Sequence, residues 1–146
     1  MIEKELVFLD FSAKDYNDFF DKISDILYEK GYVKESFKNA IKKREEEFPT
    51  GLQVENLGIA IPHTDSIHVN KPSIVFVRFD KPMIFNGMGG EGKVNAEMAF
   101  VLLVTDKNKQ VPLLQKLMSI VTNNEIMNKL QKYKNEDIIK VLEEEL

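Results

Sequence analysis

Residues 73–79, SIVFVRF, and residues 98–104, MAFVLLV, are the stretches on which the fold turns. Each is short, almost continuously apolar and rich in branched and aromatic side chains, which reads as a strand rather than a helix. A strand with one wet face alternates polar and apolar residues. These two do not alternate, so both their faces must be covered, as in a sheet held between helices. Residues 58–61 read as a third strand, bounded by Gly58 and Pro62, and residues 86–93, NGMGGEGK, form a glycine-rich turn between the two long runs.

Helical spacing returns on either side of this central block. After a short apolar start at residues 6–9, Ser12 and Asp15 form a capping pair ahead of Tyr16, Phe19, Phe20, Ile23, Ile26 and Leu27, and Gly31 supplies the stop. A second helix is predicted over residues 33–47, with Phe37, Ala40 and Ile41 inward, ending where Pro49 disfavours a helical Phe48. Arg44, three residues beyond Ile41, falls on or beside the buried face. From Gln110 the stripe Leu113, Leu114, Leu117, Met118 and Val121 marks a third helix with Pro112 in its first turn, and residues 124–146 read as two shorter ones. Helices, then strands, then helices without a linker or repeat predict a single α/β domain over residues 1–146.

Composition narrows the function classes. The chain of 146 residues is 43% hydrophobic and 30% charged, the balance of an ordinary globular domain. Its net charge of −4, with lysines interleaved among glutamates, gives no electrostatic reason to bind nucleic acid. With no cysteine and two histidines it offers neither thiolate chemistry nor a good transition-metal site, so no metal is expected. No apolar run is long enough to cross a bilayer, and the acidic start MIEKELVFLD is unlike a secretory signal; a cytoplasmic location is expected.

One of the two histidines is well placed. His63 follows Pro62 at the carboxyl end of the run 58–61, the end of the strands at which open α/β sheets tend to bind ligands. Taken alone it reads more readily as a turn residue with no task, and its neighbours have to shift that reading. Thr64 sets a hydroxyl beside it, Thr50 and Gly51 lie in the preceding loop, and Arg44 is an arginine on the inward side of a helix that ends just before that loop. Arginine suits bidentate contact with phosphate oxygens, although it could instead pair with a carboxylate such as Glu97. A neutral imidazole is a competent nucleophile toward phosphorus, and the arriving charge needs fixed donors of the arginine, threonine and backbone-amide kind. His68 lies five residues on, a spacing that suits neither one helix face nor one strand face with His63; it reads as exposed, or as a supporting or partner-contact residue. The stretch GMGGEGK lacks the Gly-Lys-Ser/Thr ending of a phosphate loop, since Val94 follows Lys93, and it precedes a strand rather than opening a helix. The acidic residues are read as helix surface, with Glu97 the one exception.

The stretch REEEFPTGLQVENLGIAIPHTDSIHVNKPSIVFVRFDKPMIFNGMG resembles the IIA phosphocarrier component of the bacterial phosphoenolpyruvate-dependent sugar phosphotransferase system (PTS). The relevant group is the fructose/mannitol/nitrogen-regulatory superfamily, the EIIA type-2 domains. Arg44, PTGL and AIPHT carry the likeness, and PTGL, PHTD and the following HV favour its galactitol branch. The resemblance implies a mixed β-sheet sandwiched between helices, without cofactor. It further implies that His63 accepts a phosphoryl group from the phosphocarrier protein HPr, through Nε2, and passes it to a IIB component, with a membrane IIC permease served indirectly. Arg44 is then the stabilising arginine, with Thr50, Thr64, Gln110 and His68 binding phosphate or supporting the site. Gln110, in QVPLL, stands where mannitol- and fructose-type members carry a second histidine, and glutamine can donate a hydrogen bond but holds no charge at neutral pH. Phe48, Leu52, Met83 and Met88 are expected to form an apolar collar. A regulatory relative, signalling phosphorylation state by binding a target protein, is the alternative.

Overall fold

A computed structural model of the chain describes residues 2–90 and 92–146, so Glu91 of the glycine-rich turn lies outside the described residues. The two apolar runs are the hydrogen-bonded centre of a sheet: β4 (Ser73–Asn86) and β5 (Lys93–Leu103) pair antiparallel, from Ser73 opposite Leu103 to Asn86 opposite Lys93. Around them the order is β1-β4-β5-β3-β2, with β1 (Val7–Phe11) parallel to β4, β3 (Leu57–Ala60) parallel to β5, and β2 (Gly51–Val54) antiparallel to β3. The sheet is therefore mixed, as the family likeness implied.

Because successive side chains of a strand point to opposite faces, the apolar runs supply two cores at once. Val75, Val77, Ala99, Val101 and Leu103 face α1 (Tyr16–Glu29) and α2 (Phe37–Glu47), together with Phe19, Phe20, Ile23, Phe37 and Ile41. Ile74, Phe76, Met98, Phe100 and Leu102 face α3 (Gln110–Val121), α4 (Asn124–Lys132) and α5 (Asn135–Glu145), through Leu117, Val121, Leu130, Ile138 and Leu142. Each fully buried phenylalanine contributes roughly 2–3 kcal/mol, which makes the paired centre the energetic anchor of the sandwich. Arg78, on β4, donates to the carbonyls of Leu130 and Tyr133 and so ties the end of α4 to the sheet.

The element boundaries depart from expectation where local chemistry overrode periodicity. Asp15 alone caps α1, accepting from the Asp18 amide at 2.8 Å, while the Asp18 carboxylate reaches back to the Lys14 amide. Gly31 does stop α1: at φ +85° it places the Tyr32 and Gly31 amides on the Leu27 and Tyr28 carbonyls, closing the helix end. Helix α2 starts at Phe37 rather than Val33, because Val33 is drawn into an antiparallel bridge with Val69. β4 and β5 run beyond the predicted strands into a half-wet hairpin, where Val94 and Ala96 are buried and Lys93 and Asn95 exposed. The edge strands β1 and β2 were not predicted; each is only four or five residues long.

Strand β3 carries the chain to His63, and Gly58 sets how closely it lies against β5. A Cβ at Gly58 would sit on the Asn95 carbonyl oxygen, a backbone atom that cannot swing away. Gly58→Ala should therefore destabilise the fold by about 3 kcal/mol as the two strands are pushed apart, read as a lowered denaturant midpoint.

Candidate functional site

The site gathers where β3 ends. After Ala60 the chain continues alongside β5: Pro62 accepts from the Leu102 amide at 3.0 Å, and His63 forms a parallel bridge with Leu102. The turn also fixes the imidazole, whose Nδ1 lies 2.8 Å from the Ile61 carbonyl oxygen. A carbonyl can only accept, so in the neutral ring Nδ1 carries the proton and the lone pair sits on Nε2. Burial, with a further contribution from the Arg44 charge, holds the imidazole below its ordinary pKa of 6.5, against the opposing pull of the Ile61 bond. The half-buried ring is thus kept neutral with a nucleophilic nitrogen available.

Arg44 comes from the last turn of α2. Its guanidinium lies 4.3 Å from the centre of the Phe48 ring, a cation–π contact that leaves the planar donors unblocked. The Nε is buried without a hydrogen-bond partner, and no ion pair reaches Arg44 among the described residues. Glu97 is not its counter-ion; that residue is half-buried where the β3–β5 register shifts. A buried, unsatisfied cationic donor next to a neutral imidazole is an arrangement ready for an anion.

The remaining predicted residues have varied placements. Thr50 is buried, and its amide and Oγ both donate to the Glu45 carboxylate, at 2.6 and 2.7 Å. Thr64 is buried too, and its carbonyl accepts from Gln110 Nε2 at 3.2 Å, so Gln110 reaches the histidine loop from the first turn of α3. His68 is half-buried rather than exposed: its Nδ1 lies 2.8 Å from Ser36 Oγ, at the opposite end of α2 from Arg44. Ser36 and Arg44 are eight residues apart, about 12 Å along a helix axis. Of the expected collar, Met83 is core and Leu52 packs against the α3–α5 side, because the pleat turns both inward. Phe48, against Arg44, is an exposed apolar side chain at the site, and Ile67 and Val111 are exposed within four positions of His63 and one of Gln110 in the chain.

Glu45 was missed. It is 3% exposed, and it continues the line Phe37, Ile41, Glu45 at four-residue spacing along the inward face of α2. A carboxylate in that stripe was the available signal. The glycine-rich stretch is the β4–β5 connection, as expected of a turn.

The fold and site together define an α/β sandwich domain presenting a neutral imidazole beside an unpaired arginine. The chain belongs to the EIIA 2 family of the phosphoenolpyruvate-dependent sugar phosphotransferase system, whose family model matches residues 1–145. It is 29% identical over 119 residues to the PTS galactitol-specific EIIA component of Escherichia coli K12, covering 82% of this chain and 79% of that protein. Its fold is that of the mannitol enzyme IIA solved in complex with phosphorylated enzyme IIB from Escherichia coli, with a TM-score of 0.78, 18% identity, and 98% and 97% of the two chains covered. The nitrogen regulatory protein IIA-Ntr of Neisseria meningitidis superposes equally well, with a TM-score of 0.78, 20% identity, and 97% and 95% covered. The protein is a PTS IIA phosphotransferase component, and among the described residues no helix is long and apolar enough to cross a membrane.

Proposed function

We propose that His63 Nε2 accepts a phosphoryl group from HPr and passes it to a IIB component, for uptake and phosphorylation of galactitol or a related polyol. The observation that carries this reading is the Nδ1–H bond to the Ile61 carbonyl, which leaves the Nε2 lone pair free on a ring that feels the Arg44 charge, while Arg44 Nε is buried without a hydrogen-bond partner. Nε2 attacks phosphorus in line; the new P–N bond forms as the bond to the donor imidazole breaks and its electron pair returns to the donor ring. No proton leaves His63. The phosphorylated ring becomes an imidazolium whose remaining N–H still points at the Ile61 carbonyl, and Arg44 meets the phosphoryl oxygens. Gln110 holds Thr64 and, uncharged, contributes position rather than field. Thr50 supports from behind, its hydroxyl proton directed to Glu45.

The exposed Phe48, Ile67 and Val111 suit transient docking of protein partners around the ring. The galactitol relative and the mannitol IIA solved with its phosphorylated IIB support transport over regulation, while the nitrogen regulatory neighbour means that the fold alone favours neither.

Incubation with HPr, its kinase and phosphoenolpyruvate should add one phosphoryl group, acid-labile and base-stable, to His63. A galactitol-type IIB should then remove it. Label that stays on the chain, with tight binding to an unrelated protein instead, would favour the regulatory reading. His68→Ala should leave the uptake rate within about twofold, since its ring is engaged with Ser36 and lies at the far end of α2.

A further inference from the structure

We infer that Glu45 is a positioning residue for phosphoryl transfer: through Thr50 and Ile61 it holds the His63 ring with Nδ1 protonated and Nε2 free. This rests on the reading of His63 as the phosphoryl acceptor. The contacts form one chain. Both Glu45 oxygens accept from Thr50, one from its amide at 2.6 Å and one from its hydroxyl at 2.7 Å. The Thr50 carbonyl accepts from the Ile61 amide at 3.3 Å, extending the β2–β3 ladder by one pair beyond Gly51 and Ala60. The Ile61 carbonyl, in turn, accepts from His63 Nδ1 at 2.8 Å.

A carboxylate is a costly choice for this place. Phe37 and Ile41 precede Glu45 on the same buried line, so an apolar side chain would complete the stripe. Burying an ionised carboxyl is unfavourable unless it is fully hydrogen-bonded, and burial does push the Glu45 carboxyl above its ordinary 4.5, with the Thr50 bonds and then Arg44 pulling the other way. What the carboxylate achieves is positional: it binds the last turn of α2, which carries Arg44, to the strand end that carries His63. Neighbouring residues of a helix project about 100° apart, so Glu45 fixes the turn without occupying the donors of Arg44. Held from both sides, the Ile61 carbonyl presents its oxygen to Nδ1. A free neutral histidine ring favours the proton on Nε2, the tautomer that cannot attack phosphorus through Nε2, so the protein must impose the other for that nitrogen to act.

The test reads the ring directly, by long-range proton–nitrogen correlation spectra of His63 in the intact protein, alongside phosphoryl uptake from HPr. Thr50→Ser keeps both bonds and should match the parent. Glu45→Gln should also retain function, its amide oxygen accepting from the Thr50 amide and its NH2 donating to Thr50 Oγ. Glu45→Ala and Thr50→Val should enlarge the Nε2–H tautomer and lower kcat for uptake by about tenfold or more, with KM for HPr within about twofold. An unchanged tautomer in Glu45→Ala, even with a lowered melting temperature, would overturn the inference by reducing Glu45 to a structural tie. Should Glu45→Ala fail to fold, the same result in Thr50→Val overturns it. The ring measurement uses no donor protein, so it is separate from the acceptor reading, which fails instead if the parent protein takes no label on His63.

Discussion

Replacing His63 with alanine should reduce phosphoryl uptake to background while leaving the protein folded. The covalent step needs a neutral nitrogen nucleophile, and among the described residues the other histidine is bonded to Ser36 at the far end of α2. Nothing else at the strand end replaces it: the Thr64 side chain is buried, and Thr50 Oγ is donated to Glu45. The stability change should be small, about 1 kcal/mol, because the half-buried ring makes a single hydrogen bond to the Ile61 carbonyl. Measuring label incorporation and the thermal midpoint on one preparation separates loss of chemistry from loss of fold. Retention of label at the parent level would make His63 a turn residue after all.

Removing the charge beside the ring comes next in size. Arg44→Ala should slow uptake by about 10²–10³-fold, the loss that follows when one preorganised donor to a developing anion is deleted. Arg44→Lys should recover only part of it, since a point charge on a flexible stem cannot reproduce a planar fork already stacked on Phe48. The pH dependence carries a sign. Burial and then Arg44 lower the His63 pKa from 6.5, so the nucleophilic neutral form persists as pH falls through 6.5, and uptake declines only below it. In Arg44→Ala one of the two lowering influences is gone, and the acid limb should move upward. The imidazole titration followed by NMR, set beside the pH profile of uptake, tests both statements; a limb that stays in place would mean that Arg44 does not act on the ring.

Much of this was legible in the chain. The unbroken apolar character of residues 73–79 and 98–104 required a sheet covered on both faces, because a solvated face would have demanded polar alternation. Gly31 and Pro49 marked the ends of the first two helices, the glycine because it admits the positive φ that closes a helix and the proline because it disfavours a helical residue before it. His63 and Arg44 were legible as candidates from their positions, a strand end and the inward edge of a helix. Legibility failed where two tendencies competed. The half-wet hairpin of β4 and β5 alternates, so its apolar count fell below that of the buried runs, and β1 and β2 are too short for any period to register.

Glu45 shows the deeper limit. Its spacing from Ile41 was visible, but glutamate is ordinarily a surface residue, and only the return of the chain at Thr50 supplies the two donors that make its burial tolerable. The sequence by itself determined the layers of the sandwich, the strand end that presents His63 and the place of Arg44 on the inward edge of a helix, because these follow from local periodicity and backbone sterics. Tertiary structure alone decided which nitrogen of His63 is free, that Arg44 forms no salt bridge among the described residues, and that Thr50 answers to Glu45. Those are matters of hydrogen-bond partners brought together from α2, β2 and β3, and no local pattern encodes which donor meets which acceptor once the chain has folded.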